Sequence, residues 1–415
     1  MILYGGELLE SSQTKQALKD LYPKILSTLK RGLLPSKVVI MACHQLSKRI
    51  ISGDYQELLG EFLTEEQIAK AAQMLSAECL VSKIRIELGA AVGECLPETS
   101  HQIMPLGVLF HIAAGNMEGL PAYSVIEGLL AGNINIVKLP AADSGLTVRL
   151  LRELIRVEPK IKDYIYVFDT PSSHLEELKM MAKMANGIVV WGGDETIKSV
   201  RNLASVDTRL IEWGHRKSFA YLTKEAITDQ VLMELATHIV TTKQLLCSSC
   251  QGIYLDTDVI EELESFCERF LPILENAVAK EEPPAIGTRA QISILLYHEE
   301  LTETKGKLYR GKHCSLKALP DAELTSSYTH ANMWVRGLKR TDIIEKLHKN
   351  KGYLQTVGLV CQEKEWNELS NYFFLAGATK VTVPKYMSYM DVLETHDGEY
   401  PLRRYVRIVN GRVLS

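Results

Sequence analysis

The sequence predicts an α/β fold made of two successive parallel-sheet halves, and two observations predict it. From residue 105 onward, short apolar, β-branched runs bounded by glycine alternate with longer amphipathic runs, the pattern of right-handed βαβ units around a buried parallel sheet. After residue 217 the same grammar restarts. At 415 residues, 46% hydrophobic and 24% charged, the chain is long enough for two or three packed domains.

Taken in order, residues 1 to about 100 read as helices. "TKQALKDLYPKILSTLKRGL" and "TEEQIAKAAQMLSAECLVSKIRIELGAAV" space their apolar residues by three and four between charged ones. Then come the strand "GVLFHIAA", the helix "LPAYSVIEGLLAG" with Gly132 as its stop, and the strand "NINIVKL". The alternation continues through "SGLTVRLLRELIRV", "YIYVFD", "SHLEELKMMAKMA", "GIVVWGG", "DETIKSVRNLA" and "RLIEWG". In the second half, "AITDQVLMELATHIVTTK" reads as helix, "GIYLDT" as strand, "DVIEELESFCERFLPILENAVAKE" as helix and "QISILLY" as strand. "ANMWVRGL", "DIIEKLHKNKG" and "YLQTVGLVC" add a further unit, and "HDGEYPLRRYVRIVNGRVLS" a turn and a basic strand. The expected division is an N-terminal helical segment (1–95), a cofactor domain (96–217), a catalytic domain (218–390) facing it across a cleft, and a C-terminal tail with a strand (391–415).

Composition excludes several classes. A net charge of −4 argues against a surface built for nucleic acid or anionic membrane. Eight scattered cysteines without a short-spaced framework indicate a reducing compartment, and "MILYGGELLE" lacks the basic and apolar regions of a signal peptide. Glu118, Pro121, Glu127 and Asn133 interrupt the most apolar stretch (104–140) before the ~20 residues that a bilayer span needs. The expected location is the cytoplasm.

Five places carry side chains or backbone suited to chemistry. Cys247 stands in "TTKQLLCSSCQG", a small polar loop after a helix, where backbone amides can lower a thiol pKa and receive an oxyanion. A buried space-filling thiol is the commoner use of cysteine. Cys250 completes a C-x-x-C, but a zinc site needs a second ligand pair, and a thioredoxin-like pair opens a helix after a strand rather than the reverse. No metal is expected, and Cys250 reads as a bystander. Asn116 in "HIAAGNMEG" lies past a strand end, where ligands of open α/β sheets bind; it is either a turn residue beside Gly115 or an oxyanion donor. Lys138 ends the next strand, within reach of a ribose or phosphate. Gly192 and Gly193 in "VVWGGDE" form an ordinary turn or one that admits a pyrophosphate near a helix N-terminus. Glu212 in "RLIEWGHRKSF" is a general base or a solvated carboxylate. Neither G-x-G-x-x-G nor G-x-x-x-x-G-K-[ST] occurs, so a dinucleotide would be held in another way.

In this order, over roughly residues 100 to 410, these motifs resemble the aldehyde dehydrogenase superfamily and, within it, the acyl-CoA reductases of the LuxC type, which supply fatty aldehyde to bacterial luciferase. "PLGVLFHIAAGN" and "LLAGNINIVKLP" are similar to the strands leading to the catalytic asparagine and the cofactor lysine, and "VVWGGDETIKSVR" to the glycine turn under the nicotinamide. "IEWGHRKSF" is similar to the Glu-x-Gly segment and "QLLCSSCQGIYLD" to the nucleophile loop, while "HIAAGN", "YLQTVGL" and "HDGEYPLRRYVR" point to the branch. The resemblance implies Cys247 as nucleophile, Asn116 as oxyanion donor, and His111, Ala114, Lys138, Gly192 and Gly193 at cofactor positions. It places Glu212 on the water-activating glutamate, although the adjacent "HRK" departs from the hydrolytic pattern. The superfamily's second, ribose-orienting glutamate has no evident counterpart.

The implied activity is reduction of a fatty acyl-CoA, or another acyl thioester, to the aldehyde through an acyl-Cys247 thioester. Three residues after Lys138 stands Ala141 rather than a carboxylate that would repel a 2′-phosphate, which permits NADPH, with NADH as the alternative. Implied partners are an acyl-transferring or acyl-activating enzyme and further copies of the chain, paired through "RRYVRIVNG"; no nucleic acid is expected. Competing readings are an aldehyde dehydrogenase forming the acid, a CoA-acylating aldehyde dehydrogenase on a short-chain substrate, a non-catalytic protein that keeps the fold, and a zinc or redox protein using Cys247 and Cys250.

Overall fold

The β-branched runs become strands of two seven-stranded sheets, each in its own part of the chain. The computed structural model describes residues 1–96, 100–113, 118–141, 143–302, 306–389, 391 and 393–410. Two units emerge, one of Met1–Gly214 with Asp391–Ser415 and one of His215–Met390. The strands are β1 (Ile2–Tyr4), β2 (Glu7–Leu9), β3 (His101–Pro105), β4 (Val108–Ile112), β5 (Ile134–Lys138), β6 (Ile165–Phe168), β7 (Gly187–Trp191) and β8 (Arg209–Trp213). They continue with β9 (Lys217–Leu222), β10 (Cys250–Leu255), β11 (Lys307–Arg310), β12 (Ser315–Leu319), β13 (Asn332–Gly337), β14 (Leu354–Val360), β15 (Lys380–Thr382) and β16 (Val406–Asn410).

In the first unit the sheet order is β2-β1-β6-β5-β4-β7-β8, parallel from β6 to β8. Phe110 lies opposite Ile136 and Ile188, and all three are wholly buried, as expected where helices cover both faces of a parallel sheet. The crossover helices are Leu120–Leu130, Leu146–Val157, Leu175–Met184 and Asp194–Arg201. Gly132 ends the first of these with a φ of +76°, a conformation that disfavours a side chain.

The N-terminal reading needs one correction. Residues 2–9 are a hairpin rather than helix: Tyr4 pairs with Glu7 across Gly5-Gly6, both at positive φ, the demand of a two-residue primed turn. β1 then adds antiparallel to β6 at the sheet edge. Beyond it, Thr64 and Gln67 form a reciprocal capping box at the start of the helix Glu65–Met74. Ser76 caps the separate helix Ala77–Glu87, so the long run read as one pattern is two helices. Inside this unit a buried triad joins that helix to the one after β4. Lys83 Nζ lies 2.5 Å from Glu87 and 3.0 Å from Glu127, and the Glu87 carboxylate also accepts the Leu402 N–H at 2.8 Å. β16 pairs antiparallel with β3 as a separate two-stranded sheet.

The second sheet runs β11-β12-β13-β10-β9-β14-β15, parallel throughout except β11. Leu232, Leu235 and Ile239 of the helix Asp229–Thr241 and Phe266 and Phe270 of the helix Ile260–Val278 belong to one apolar cluster. Phe219, Tyr254, Trp334, Leu359 and Phe373 belong to another. The stretch "QISILLY" is not a strand but the middle of the helix Ile286–Leu301. Its short apolar run is ambiguous by itself. Over the longer window, half-buried Ile292 and buried Leu296 fall one helical turn apart on one face. Among the described residues, no helix is long and apolar enough to cross a membrane.

Candidate active site

In the first unit, the carboxyl ends of β5, β4, β7 and β8 lie side by side, and they carry Lys138, Ala113, Trp191 and Trp213. Asn116 and Ala114 fall outside the described residues. Lys138 is buried, and its Nζ donates to Ser172 Oγ at 3.0 Å; burial lowers its pKa. Its position is fixed by the ladder, opposite Ile112 on one side and Phe168 on the other.

Gly192 and Gly193 follow β7 and precede the helix Asp194–Arg201. A Cβ at Gly193 would meet no atom within 4 Å, so the turn backbone stays open, whereas one at Gly192 would press on Thr196 at 3.0 Å. Asp194 and Glu195 occupy the first turn of that helix. Glu195 is paired with Lys198 one turn on, at 2.7 Å.

Two of the expected site residues have partners of their own within this unit. His111 does not present its ring to a ligand: it is 1% exposed, with Nδ1 2.9 Å from Ser124 Oγ and Nε2 3.0 Å from Asn135 Oδ1. Burial depresses its pKa to about 4, and the ring is a neutral core group that ties the helix Leu120–Leu130 to β5. Glu212 places both carboxylate oxygens on Arg201, at 2.6 and 2.7 Å. That pair holds the Arg201 pKa above its ordinary value. A carboxylate engaged on both oxygens by a guanidinium is poorly set to take a proton from water.

Sequence reasoning missed one group in this unit. The Trp191 and Trp213 rings lie 5.5 Å apart, and the His396 imidazole sits 5.0 and 4.9 Å from them. In the sequence "HDGEY" points only to a branch; the fold alone brings His396 against the two indoles, tilted to Trp191 and edge-on to Trp213.

In the second unit, Cys247 is exposed on a turn in which Ser249 N donates to Leu246 O at 3.0 Å. Ser249 Oγ accepts the Leu246 N–H at 3.0 Å, Ser218 Oγ donates to Cys247 O at 2.7 Å, and Ser248 Oγ lies 2.9 Å from Ser388 Oγ. Cys250 has a different character. It is wholly buried in β10, its thiol donates to Gly252 O at 3.2 Å, and burial pushes its pKa up to about 12. Its N–H donates to His238 Nε2 at 3.2 Å, which requires that nitrogen to be unprotonated; burial holds His238 at about 4. The two sulfurs of the C-x-x-C thus have opposite environments, one on an exposed turn and one locked in a strand. No disulfide joins them, and no cluster of metal-binding side chains occurs among the described residues.

Comparison with known proteins agrees with this arrangement at the level of family and fold. The sequence profile of the acyl-CoA reductase (LuxC) family matches residues 44–408. The chain is 23% identical over 328 residues to long-chain acyl-protein thioester reductase 2 of Photobacterium leiognathi, covering 77% of this chain and 66% of that one. It is 23% identical over 344 residues to the long-chain acyl-protein thioester reductase of Photobacterium phosphoreum, covering 81% and 70%. It is 27% identical over 198 residues to that of Vibrio harveyi, covering 46% and 42%. The chain thus spans two thirds or less of several of these relatives.

Similar solved structures include bifunctional proline utilization A, at TM-score 0.72 and 14% identity over 97% of this chain and 45% of that one. Indole-3-acetaldehyde dehydrogenase complexed with NAD+ gives 0.70 and 13% over 96% and 88%. The Methanocaldococcus jannaschii glyceraldehyde-3-phosphate dehydrogenase complexed with NADP gives 0.67 and 11% over 97% and 94%. At such identities the likeness shows the fold, which is that of the aldehyde dehydrogenases. With most of its length matched by the profile, the chain belongs to the LuxC family of acyl-CoA reductases.

Proposed function

We propose that this protein reduces a long-chain fatty acyl thioester to the fatty aldehyde, with Cys247 carrying the acyl group and NADPH as reductant. The observation that supports this most is the contrast within the C-x-x-C: an exposed thiol on a turn bonded through its own carbonyl and its serine neighbours, three residues from a thiol removed from chemistry. The relatives' names put acyl-protein thioesters beside acyl-CoA as acyl donors.

Residues of the first sheet suit a nicotinamide dinucleotide. The buried Lys138 ammonium has a neutral hydroxyl as its partner and no carboxylate salt bridge among the described residues, which fits a ligand rich in hydroxyls and phosphates. Exposed Ala141 leaves room for a 2′-phosphate, and the open Gly192–Gly193 turn can lie against a flat ring. When bound, the dinucleotide supplies a hydride.

The chain's own residues do the rest. The Cys247 thiolate attacks the thioester carbonyl; its Sγ–C bond forms as the bond to the donor sulfur breaks, and the departing thiolate takes a proton from solvent. One thioester replaces another, so the exchange is close to neutral. Asn116 and the Cys247 amide would hold the oxyanion that forms once hydride has reached the acyl carbon. Collapse breaks the Sγ–C bond, releases aldehyde and restores the thiolate. No water enters, in keeping with a Glu212 committed to Arg201. The same reading assigns 96–217 to the dinucleotide and 218–390 to the cysteine chemistry, in the cytoplasm, where thiols stay reduced. It assigns contact between copies to the β3–β16 sheet, where Ile408 is exposed.

The test is aldehyde release from tetradecanoyl-CoA with NADPH or NADH. The wild-type protein is expected to form aldehyde with NADPH, Cys250→Ala to retain most of that activity, and Cys247→Ala to have none. Aldehyde from Cys247→Ala would overturn the reading.

A further inference from the structure

Five of the six non-glycine residues at positive φ among the described residues fall in two short stretches, Lys243–Gln244 and Thr329–His330–Ala331. Left-handed backbone is unfavourable for each of them, so something in the surroundings must hold it. The two stretches hold each other. His330 N donates to Lys243 O at 3.1 Å, and Ala331 N donates to Gln244 Oε1 at 2.9 Å. The other end of the same amide, Gln244 Nε2, donates to Cys250 O at 2.8 Å. Gln251 Nε2 returns a bond to Gln244 O at 3.1 Å, while Gln251 Oε1 accepts both the N–H and the hydroxyl of Ser327 at 3.1 and 2.9 Å. Gln244 is 3% exposed, so water does not compete for these bonds.

The consequence for Cys247 is topological. Gln244 precedes the turn, and its side chain bonds the carbonyl of Cys250, the residue that follows the turn. Residues 245–249 are therefore closed into a ring by one buried carboxamide, with Cys247 at its middle, and the ring is pinned to the left-handed stretch before β13. We infer that Gln244 is a positioning residue for the Cys247 thiol: it fixes where the sulfur meets an acyl carbon without touching substrate itself. The inference rests on the proposed role of Cys247. It assigns the strain at 329–331 a use, as the rigid wall against which the ring is set.

Geometry of this kind matters to attack on a carbonyl and little to a small alkylating reagent, so two rates separate positioning from mere stability. Gln244→Met removes both bonds at similar volume. In protein shown by melting to be folded at the assay temperature, Cys247 acylation by tetradecanoyl-CoA is expected to fall about a hundredfold, the scale of a 1 Å misplacement. Alkylation of Cys247 by iodoacetamide is expected to stay within about threefold of wild type, because it needs the thiolate alone. Gln244→Glu keeps the acceptor for Ala331 N–H and loses the donor to Cys250 O; it is expected to acylate about tenfold slower and serves alone if the Met variant does not fold. Wild-type acylation rates in a folded variant, or an alkylation rate that falls in parallel with acylation, would overturn the inference. Failure of the underlying reading looks different: wild-type protein alkylated at Cys247 would still release aldehyde.

Discussion

The two sheets differ in which end of their own strands carries the candidate chemistry. In the first unit, Lys138 and the Gly192–Gly193 turn lie at the carboxyl ends of parallel strands, where open α/β sheets bind ligands. In the second, Cys247 precedes β10, at the amino end of its strand, as the left-handed stretch Thr329–Ala331 precedes β13. A residue such as Lys138 is placed by the ladder itself. Cys247 is outside any ladder and relies on side chains, Ser218, Ser249 and Gln244 among them, to hold its turn. Changes behind the first site should therefore affect stability, and changes behind the second should affect reactivity as well.

The largest expected effect breaks the first unit alone. Lys83→Met leaves Glu87 and Glu127 buried without their cation and should cost about 4 kcal/mol in urea unfolding. Burial already raises the Glu127 pKa against the pull of Lys83. A carboxyl with a raised folded pKa is tolerated while protonated, so the variant's loss should grow as pH rises above the ordinary carboxylate range.

Gly252→Ala strikes the second unit with nearly the same force. A Cβ there would lie 2.1 Å from the Trp334 ring, whose N–H is tied to Thr325 O at 3.0 Å, and about 3 kcal/mol of stability should be lost. Because Gly252 follows Cys250 in β10, acylation should fall too, which Lys83→Met should not cause in folded protein.

Acidification compares the two buried histidines. Both His111 and His238 are held near 4, below the unfolded value of about 6.5, so each contributes stability above that value that is lost as pH falls toward 4. The loss should approach ~3 kcal/mol for each over that window. Protonating His238 also breaks its bond to Cys250 N, so the acylation rate of wild-type protein should fall toward pH 4, ahead of unfolding seen by circular dichroism. His238→Gln, able to accept the same N–H, should lose rate less steeply over that range, leaving only the fall that protonation of the thiolate causes.

The smallest effect concerns Glu212. Glu212→Gln should leave reductase activity within about threefold of wild type, because the carboxylate is committed to Arg201. A hundredfold loss would move Glu212 into the reaction and weaken the distinction between the two units.

The sheets were legible because their strands are glycine-bounded apolar runs, a signal local to each segment. "ILYGGELL" carries its two-glycine turn in plain sequence, but the helical pattern after it dominates any window that spans both. "QISILLY" reads as a strand yet folds as helix because seven apolar-rich residues fit either period. Cys247, Lys138 and the glycine turn stood out from type and position in the pattern. The partners that decide behaviour did not: Arg201 for Glu212, Asn135 for His111 and Ala331 for Gln244 meet only through the fold. Gln244 was in plain view in "TTKQLLCSSCQG", yet no spacing rule links it to a residue before β13.

The most direct test of the central claim is the mass of the protein after exposure to tetradecanoyl-CoA without reductant. One added tetradecanoyl group on the peptide containing Cys247, discharged as aldehyde when NADPH is supplied, is the predicted result. An unmodified Cys247 in protein that still turns acyl-CoA into aldehyde would contradict it.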